Sequence, residues 1–221
     1  MVSNNLVLLG LGSRTTTYYL GELNAVYNKK NGDYSTCPLL VYNVDFNDVN
    51  SLLPNTSETL DGLVQGYLKD ITSFKADAII IPNITLHETV DRLHMDSEIL
   101  HPLHLTVDKL KQHNCNKIVL FGSLYSMTSD YISSYFKANI IDVVLPSEND
   151  MAFIDTVRKE VYNGTETSDL VKQFHECIAR YAAIHPVVLG CTELSVLNPK
   201  NNENIIDMAQ LQIDSAIDKL S

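Results

Sequence analysis

The sequence predicts an α/β fold of two pseudo-symmetric lobes, each a parallel sheet flanked by helices. Three observations carry this reading. Short apolar runs of strand length recur along the chain, longer amphipathic stretches lie between them, and the first half is echoed in the second. With 221 residues, 45% of them hydrophobic, the chain can bury one large core or two smaller ones.

The strand-like runs fall at 6–9, 39–42, 78–81, 118–121, 140–144 and 187–189. They are continuously apolar rather than alternating, which suits strands buried on both faces. The amphipathic stretches at 16–28, 58–74, 149–162, 167–183 and 208–220 have the length and periodicity of helices. Strand and helix in alternation favour parallel strands joined by helical crossovers.

Leu6-Val7-Leu8-Leu9-Gly10 resembles Ile118-Val119-Leu120-Phe121-Gly122, an offset of 112 positions. Ile79-Ile80-Ile81-Pro82-Asn83 pairs with Val187-Val188-Leu189-Gly190-Cys191 at an offset of 108. Two nearly equal offsets indicate a duplicated half, hence two similar lobes with a cleft between them. Ligands of parallel α/β sheets bind beyond the carboxyl ends of strands, so Asn83 and Cys191 are expected to face each other across that cleft.

The formal net charge of −11 disfavours nucleic acid and anionic membranes as partners. No apolar run is long enough to span a bilayer, and the first residues lack the pattern of a signal peptide, so a cytoplasmic location is expected. The four cysteines, Cys37, Cys115, Cys177 and Cys191, form no C-x-x-C pair. Each reads first as a small buried apolar residue, and disulfides are not expected in a reducing compartment.

Cys191 has a context beyond packing. Gly190 permits a sharp turn after the last apolar run, and a thiol at the start of the following helix should have a lowered pKa and act as a base. At the matching place, Asn83 can exchange hydrogen bonds but cannot take a proton. Thr85 can hold a carboxylate, and His87 is an acid, a base, an orienting group or a helix-face histidine. Gly10-Leu11-Gly12-Ser13 is not a dinucleotide fingerprint, because Thr15 stands where the third glycine belongs and no acidic residue ends the run at 39–42. Ser13, Arg14, Thr15 and Thr16 either cup a small anion or cap a helix. His94, His101 and His104 are read as exposed or supporting histidines, with no metal site.

Taken together, these motifs resemble the aspartate/glutamate racemase family over nearly the whole chain. The stretch from Gly10 to Tyr19 is similar to its glycine-rich segment, and Val41-Tyr42-Asn43-Val44-Asp45-Phe46 to its second-strand segment. Asn83-Ile84-Thr85-Leu86-His87 resembles its first-thiol motif with Asn83 in place of the cysteine. Gly122-Ser123-Leu124-Tyr125-Ser126-Met127 resembles its carboxylate-binding stretch, and Gly190-Cys191-Thr192-Glu193-Leu194 matches its second-thiol motif.

The resemblance implies a homodimer that uses no pyridoxal phosphate, metal or nucleotide and acts on a small acidic amino acid, aspartate or glutamate. It makes Cys191 the acid/base of the second half, leaves Asn83 at the place of a missing thiol, and makes Thr85 a candidate for a share in the chemistry. Thr85, Ser123, Ser126 and Thr192 would bind the α-carboxylate, with His87 and Glu193 supporting them. With no basic residue at 165–167, Ser13 and Arg14 become the candidates at the substrate's other end. The lobes are expected at 1–98 with 207–221, and at 99–206. The activity expected is racemisation by removal and return of the Cα proton, impaired or one-sided because of Asn83. The alternatives are a one-thiol decarboxylase or lyase, and a non-catalytic carboxylate-binding protein.

Overall fold

A parallel strand covered on both faces has no polar side to show, and Leu6–Gly10 (β1) is buried at every position. A computed structural model of the chain describes residues 5–93, 97–199 and 202–220. It divides into two units, Met1–His101 with Gln212–Ser221, and Pro102–Leu211. The divisions lie a few residues beyond those expected at 98/99 and 206/207. The reason is pairing: the short strands at 98–99 and 205–207 each bond to the sheet that precedes them.

In the first unit β1 leads into α1 (Ser13–Asn31), then β2 (Leu39–Asn43), α2 (Phe46–Asn50) and α3 (Glu58–Ser73). There follow β3 (Ala78–Ile80), a 3₁₀ turn (Ile84–Leu86), α4 (His87–Val90) and β4 (Glu98–Ile99). The strands are parallel in the order β2-β1-β3-β4. Helix α3 begins where the Ser57 hydroxyl accepts the Leu60 N–H, and it buries Leu60, Val64, Leu68 and Ile71, one face at helical spacing. That face meets Val7, Leu9, Ile79 and Ile81 in the first core.

The second unit runs α5 (Pro102–Gln112), β5 (Lys117–Phe121), α6 (Leu124–Thr128), α7 (Asp130–Ala138), β6 (Asp142–Val144) and α8 (Glu148–Asn163). It continues with α9 (Ser168–Ala182), β7 (Val187–Leu189), α10 (Thr192–Val196) and β8 (Ile205–Asp207). The strand order is β6-β5-β7-β8, again all parallel. Helix α11 (Met208–Lys219) starts in this unit and belongs to the first from Gln212 onward. Helices α8 and α9 start on caps, Ser147 to Asp150 N–H and Thr167 to Leu170 N–H, and Gly164 ends α8 in the left-handed region. The second core gathers Val119, Phe121, Ile154, Val157, Phe174 and Ile178.

The duplication is visible in the register. Leu8 pairs with Ile80 in the first sheet, and Leu120 pairs with Val188 in the second. Leu8 and Leu120 are related by the first offset of the sequence echoes, and Ile80 and Val188 by the second. Three expectations need correction. Strands β2 and β6 are sheet edges and only partly buried, because each has one neighbour. The run at 140–144 shortens to β6, since Ile140 ends the α7 segment at φ 63° and is 84% exposed. Helix α1 starts at Ser13 rather than at residue 16. Among the described residues, no helix is long and apolar enough to cross a membrane.

Phe174 is fully buried beside Phe121, with ring centroids 6.4 Å apart. Phe174→Ala is expected to destabilise the protein by about 3–5 kcal/mol in urea unfolding. Tyr34→Ala, at a fully exposed side chain, should stay within about 0.5 kcal/mol.

Candidate functional site

In the second unit the central strands β5 and β7 end side by side, and the Gly190 N–H donates to Phe121 O at 2.8 Å. Gly190 does not have the left-handed backbone that a sharp turn would need. Its role is close approach: a Cβ there would meet Leu120 Cδ1 at 3.3 Å and Phe121 O at 3.6 Å. At Gly122 a Cβ would stand 3.1 Å from the Ser126 Cβ, so a side chain there would press on the first turn of α6.

Cys191 follows Gly190 in extended conformation as the N-cap residue of α10. Its side chain is half-buried, and Sγ donates to Glu193 Oε2 at 2.8 Å. The thiol pKa is therefore raised, contrary to the lowering expected from a helix start. Burial penalises the thiolate most, and the Glu193 carboxylate adds repulsion and a hydrogen bond that needs the proton to stay on sulfur. A helix of five residues supplies too little dipole to oppose this. Cys37, by contrast, is pushed up to about 11 by burial alone.

Ser123 caps α6: its Oγ accepts the Ser126 N–H at 3.0 Å and lies 2.8 Å from Ser126 Oγ. Ser126 is 2% exposed, so it can reach a ligand only through Ser123. Thr192 opens α10 and is partly exposed. Sequence reading missed Asp155 and Arg158 on α8. Asp155 Oδ1 accepts the Leu124 N–H at 3.2 Å and the Arg158 Nε–H at 3.0 Å. The charge of Arg158 favours the Cys191 thiolate, against Glu193. The available signal was an acid beside the apolar positions Ile154 and Val157, with cations three and four residues on.

In the first unit, Gly12 is the N-cap of α1, so Ser13 and Arg14 stand in its first turn, Ser13 exposed and Arg14 partly so. Thr15 is buried, and the Thr16 hydroxyl donates back to the carbonyls of Leu11 and Gly12, which leaves neither free to cup an anion. Asn83 has a structural role, because its Oδ1 accepts the Leu86 N–H at 3.1 Å and caps the 3₁₀ turn. Thr85 lies within that turn, partly exposed.

His87 is fully buried, with Nε2 3.0 Å from Ile81 O. It meets His101 edge to face at 4.3 Å between centroids, and His101 Nε2 lies 3.3 Å from Asp91 Oδ1. The same Ile81 carbonyl is near Gln212 Nε2 at 3.5 Å, while Gln212 Oε1 accepts the Tyr19 hydroxyl at 2.5 Å. His87 and His101 therefore support the loop that bears Asn83; of the two alternatives expected for His101, exposed or supporting, it is the supporting one. His104 stacks on Tyr135 in the second unit. His94 lies outside the described residues.

The sequence profile of the Asp/Glu/Hydantoin racemase family matches residues 8–216. The chain belongs to that family. Curated protein sequences offer no match. Among solved structures, it is similar to a Yersinia pestis protein assigned by name to the Asp/Glu racemases, at TM-score 0.84 and 21% identity, covering 99% of this chain and 100% of that one. An aspartate racemase homologue from Pyrococcus horikoshii OT3 gives 0.78 and 17%, covering 97% and 98%. Picrophilus torridus aspartate racemase gives 0.73 and 18%, covering 98% and 93%. At these identities the likeness concerns the fold.

In this racemase-family chain the two strand-end motifs differ in chemistry. One carries a thiol on a carboxylate, the other an amide that caps a turn. Asn83→Ala is expected to lose about 1 kcal/mol of stability in urea unfolding, while Asn83→Asp, which keeps the accepting oxygen, should stay near the wild type.

Proposed function

We propose that the protein is a cofactor-independent racemase of a small acidic amino acid, aspartate or glutamate, working one-sidedly through Cys191. The observation that carries this is the S–H···O contact between Cys191 and Glu193 at the end of β7. A carboxylate placed there can take the thiol proton and return it. With the proton on Glu193, the Cys191 thiolate removes the Cα proton: the C–H bond breaks, an S–H bond forms, and the electron pair passes into the substrate carboxylate as an enolate. With the proton on sulfur, the same thiol protonates that enolate.

Ser123 and Thr192, partly exposed at neighbouring strand ends, are the second unit's candidates for holding the α-carboxylate, with Ser126 fixing the Ser123 hydroxyl. Thr85 is the first unit's candidate for the same role, and Ser13 and Arg14 are its candidates for the substrate's other end. Asn83 has no proton to transfer, so return of hydrogen to the other face falls to Thr85 or to water. A missing acid or base commonly costs about 10²–10⁴ in rate, which leaves slow inversion within reach.

A second reading has one specific observation in its favour. A thiol that rests protonated is equipped to protonate an enolate formed by loss of CO₂, as a one-thiol decarboxylase requires. A carboxylate-binding protein without turnover is the remaining alternative.

The test is incubation with L- and D-aspartate and L- and D-glutamate in D₂O, with Cα deuteration and chirality followed separately. Deuteration from one enantiomer, with inversion much slower, is expected, and Cys191→Ala should abolish it. Carboxylate binding with no exchange would leave the non-catalytic reading. CO₂ release from a malonate without amino-acid exchange would select the decarboxylase.

A further inference from the structure

Asp155 is a carboxylate with 5% side-chain exposure, the one charged residue of α8 that is buried. Burying a charge is costly unless its partners compensate, and both oxygens are used. Oδ1 accepts the Leu124 N–H at 3.2 Å and the Arg158 Nε–H and Nη2–H at 3.0 and 2.9 Å. Oδ2 takes Lys159 Nζ at 2.6 Å. Leu124 is the residue after Ser123, and α8 packs against both α6 and α10. One carboxylate thus touches the loop at the end of β5 and the cation whose charge acts on the thiol at the end of β7. The partners hold the Asp155 carboxyl below the usual range in spite of burial.

We propose that Asp155 is the positioning residue of the second unit's candidate site, fixing with one oxygen both the Ser123–Leu124 turn and the Arg158 guanidinium on the helix that packs against α10, the helix Cys191 caps. This rests on Cys191 being the working thiol, but its test needs no turnover. A surface i,i+4 ion pair would be served by Lys159 alone, which is 59% exposed. The backbone N–H of Leu124 and the two-point hold on Arg158 are what a purely solvated pair would not include.

The pH profile of Cys191 capping by iodoacetamide, read by mass spectrometry on the Cys191 peptide of the full chain, tests this. Arg158→Gln removes a cation and should move the profile to higher pH, slowing capping at a fixed pH by about three- to tenfold. Asp155→Asn should move it the same way by a similar factor, because Arg158 loses its anchor. Loss of a negative charge by itself would move it the other way. The double variant should add nothing to Arg158→Gln, and Lys159→Gln should leave the profile in place.

A downward or unmoved profile in Asp155→Asn overturns the proposal. So does an unmoved profile in Arg158→Gln, or an equal shift in Lys159→Gln. If Asp155→Asn does not fold, Asp155→Glu keeps the charge while displacing the guanidinium; an upward move is expected and an unchanged profile overturns the proposal. Absence of Cα exchange alongside the expected shifts would count against the racemase reading alone.

Discussion

The contact on which the proposed chemistry depends is a thiol donating to a carboxylate two residues on, Cys191 to Glu193. Alone, either group is ordinary. Together at the end of a buried strand they set the resting proton on sulfur, since burial and the neighbouring charge both penalise the thiolate. In the proposed chemistry the pair serves as a proton reservoir rather than a standing base. Arg158 opposes this from α8, so the balance is set by three charges or potential charges from two helices. A site tuned this way suits reversible proton exchange at a carbon acid, where both protonation states must be reachable.

What brings these groups together is parallel register, repeated. Leu8 with Ile80 and Leu120 with Val188 are the same pairing in two halves, and each leaves two adjacent strands ending at one level. In the second half that level carries Ser123 and Cys191; in the first it carries Gly12 and Asn83 as helix and turn caps. Gly190 lets the chain pass close to β5, where a Cβ would meet Leu120 Cδ1 at 3.3 Å, and Gly122 leaves room for Ser126 at the start of α6. The divergence of the halves is then local. At the first of these levels the side chain is an amide that caps a turn, at the second a thiol on a carboxylate.

Most of the scaffold was legible because parallel strands buried on both faces write continuous apolar runs, as at 6–9, 78–81, 118–121 and 187–189. Strands β4 and β8 were not, being two and three residues long with Glu98 and Asp207 among them. Ile140 misled because an exposed β-branched residue after a helix looks like the start of a strand. Of the candidate site, Cys191 was singled out by its place after the last apolar run, and Ser123 only through the family resemblance. The direction of the Cys191 shift was not, because it depends on where the Glu193 side chain turns. Asp155 and Arg158 read as an ordinary charged helix face; only tertiary packing shows that Asp155 is inside.

The most direct measurement is the thiolate absorbance near 240 nm followed with pH, taken as wild type minus Cys191→Ala. The Glu193 contact predicts no Cys191 thiolate at neutral pH and a titration beginning above the ordinary thiol range of about 8.5, moved downward in Glu193→Gln. A thiolate already present at neutral pH in the wild type, or a Glu193→Gln profile that does not move down, would contradict it.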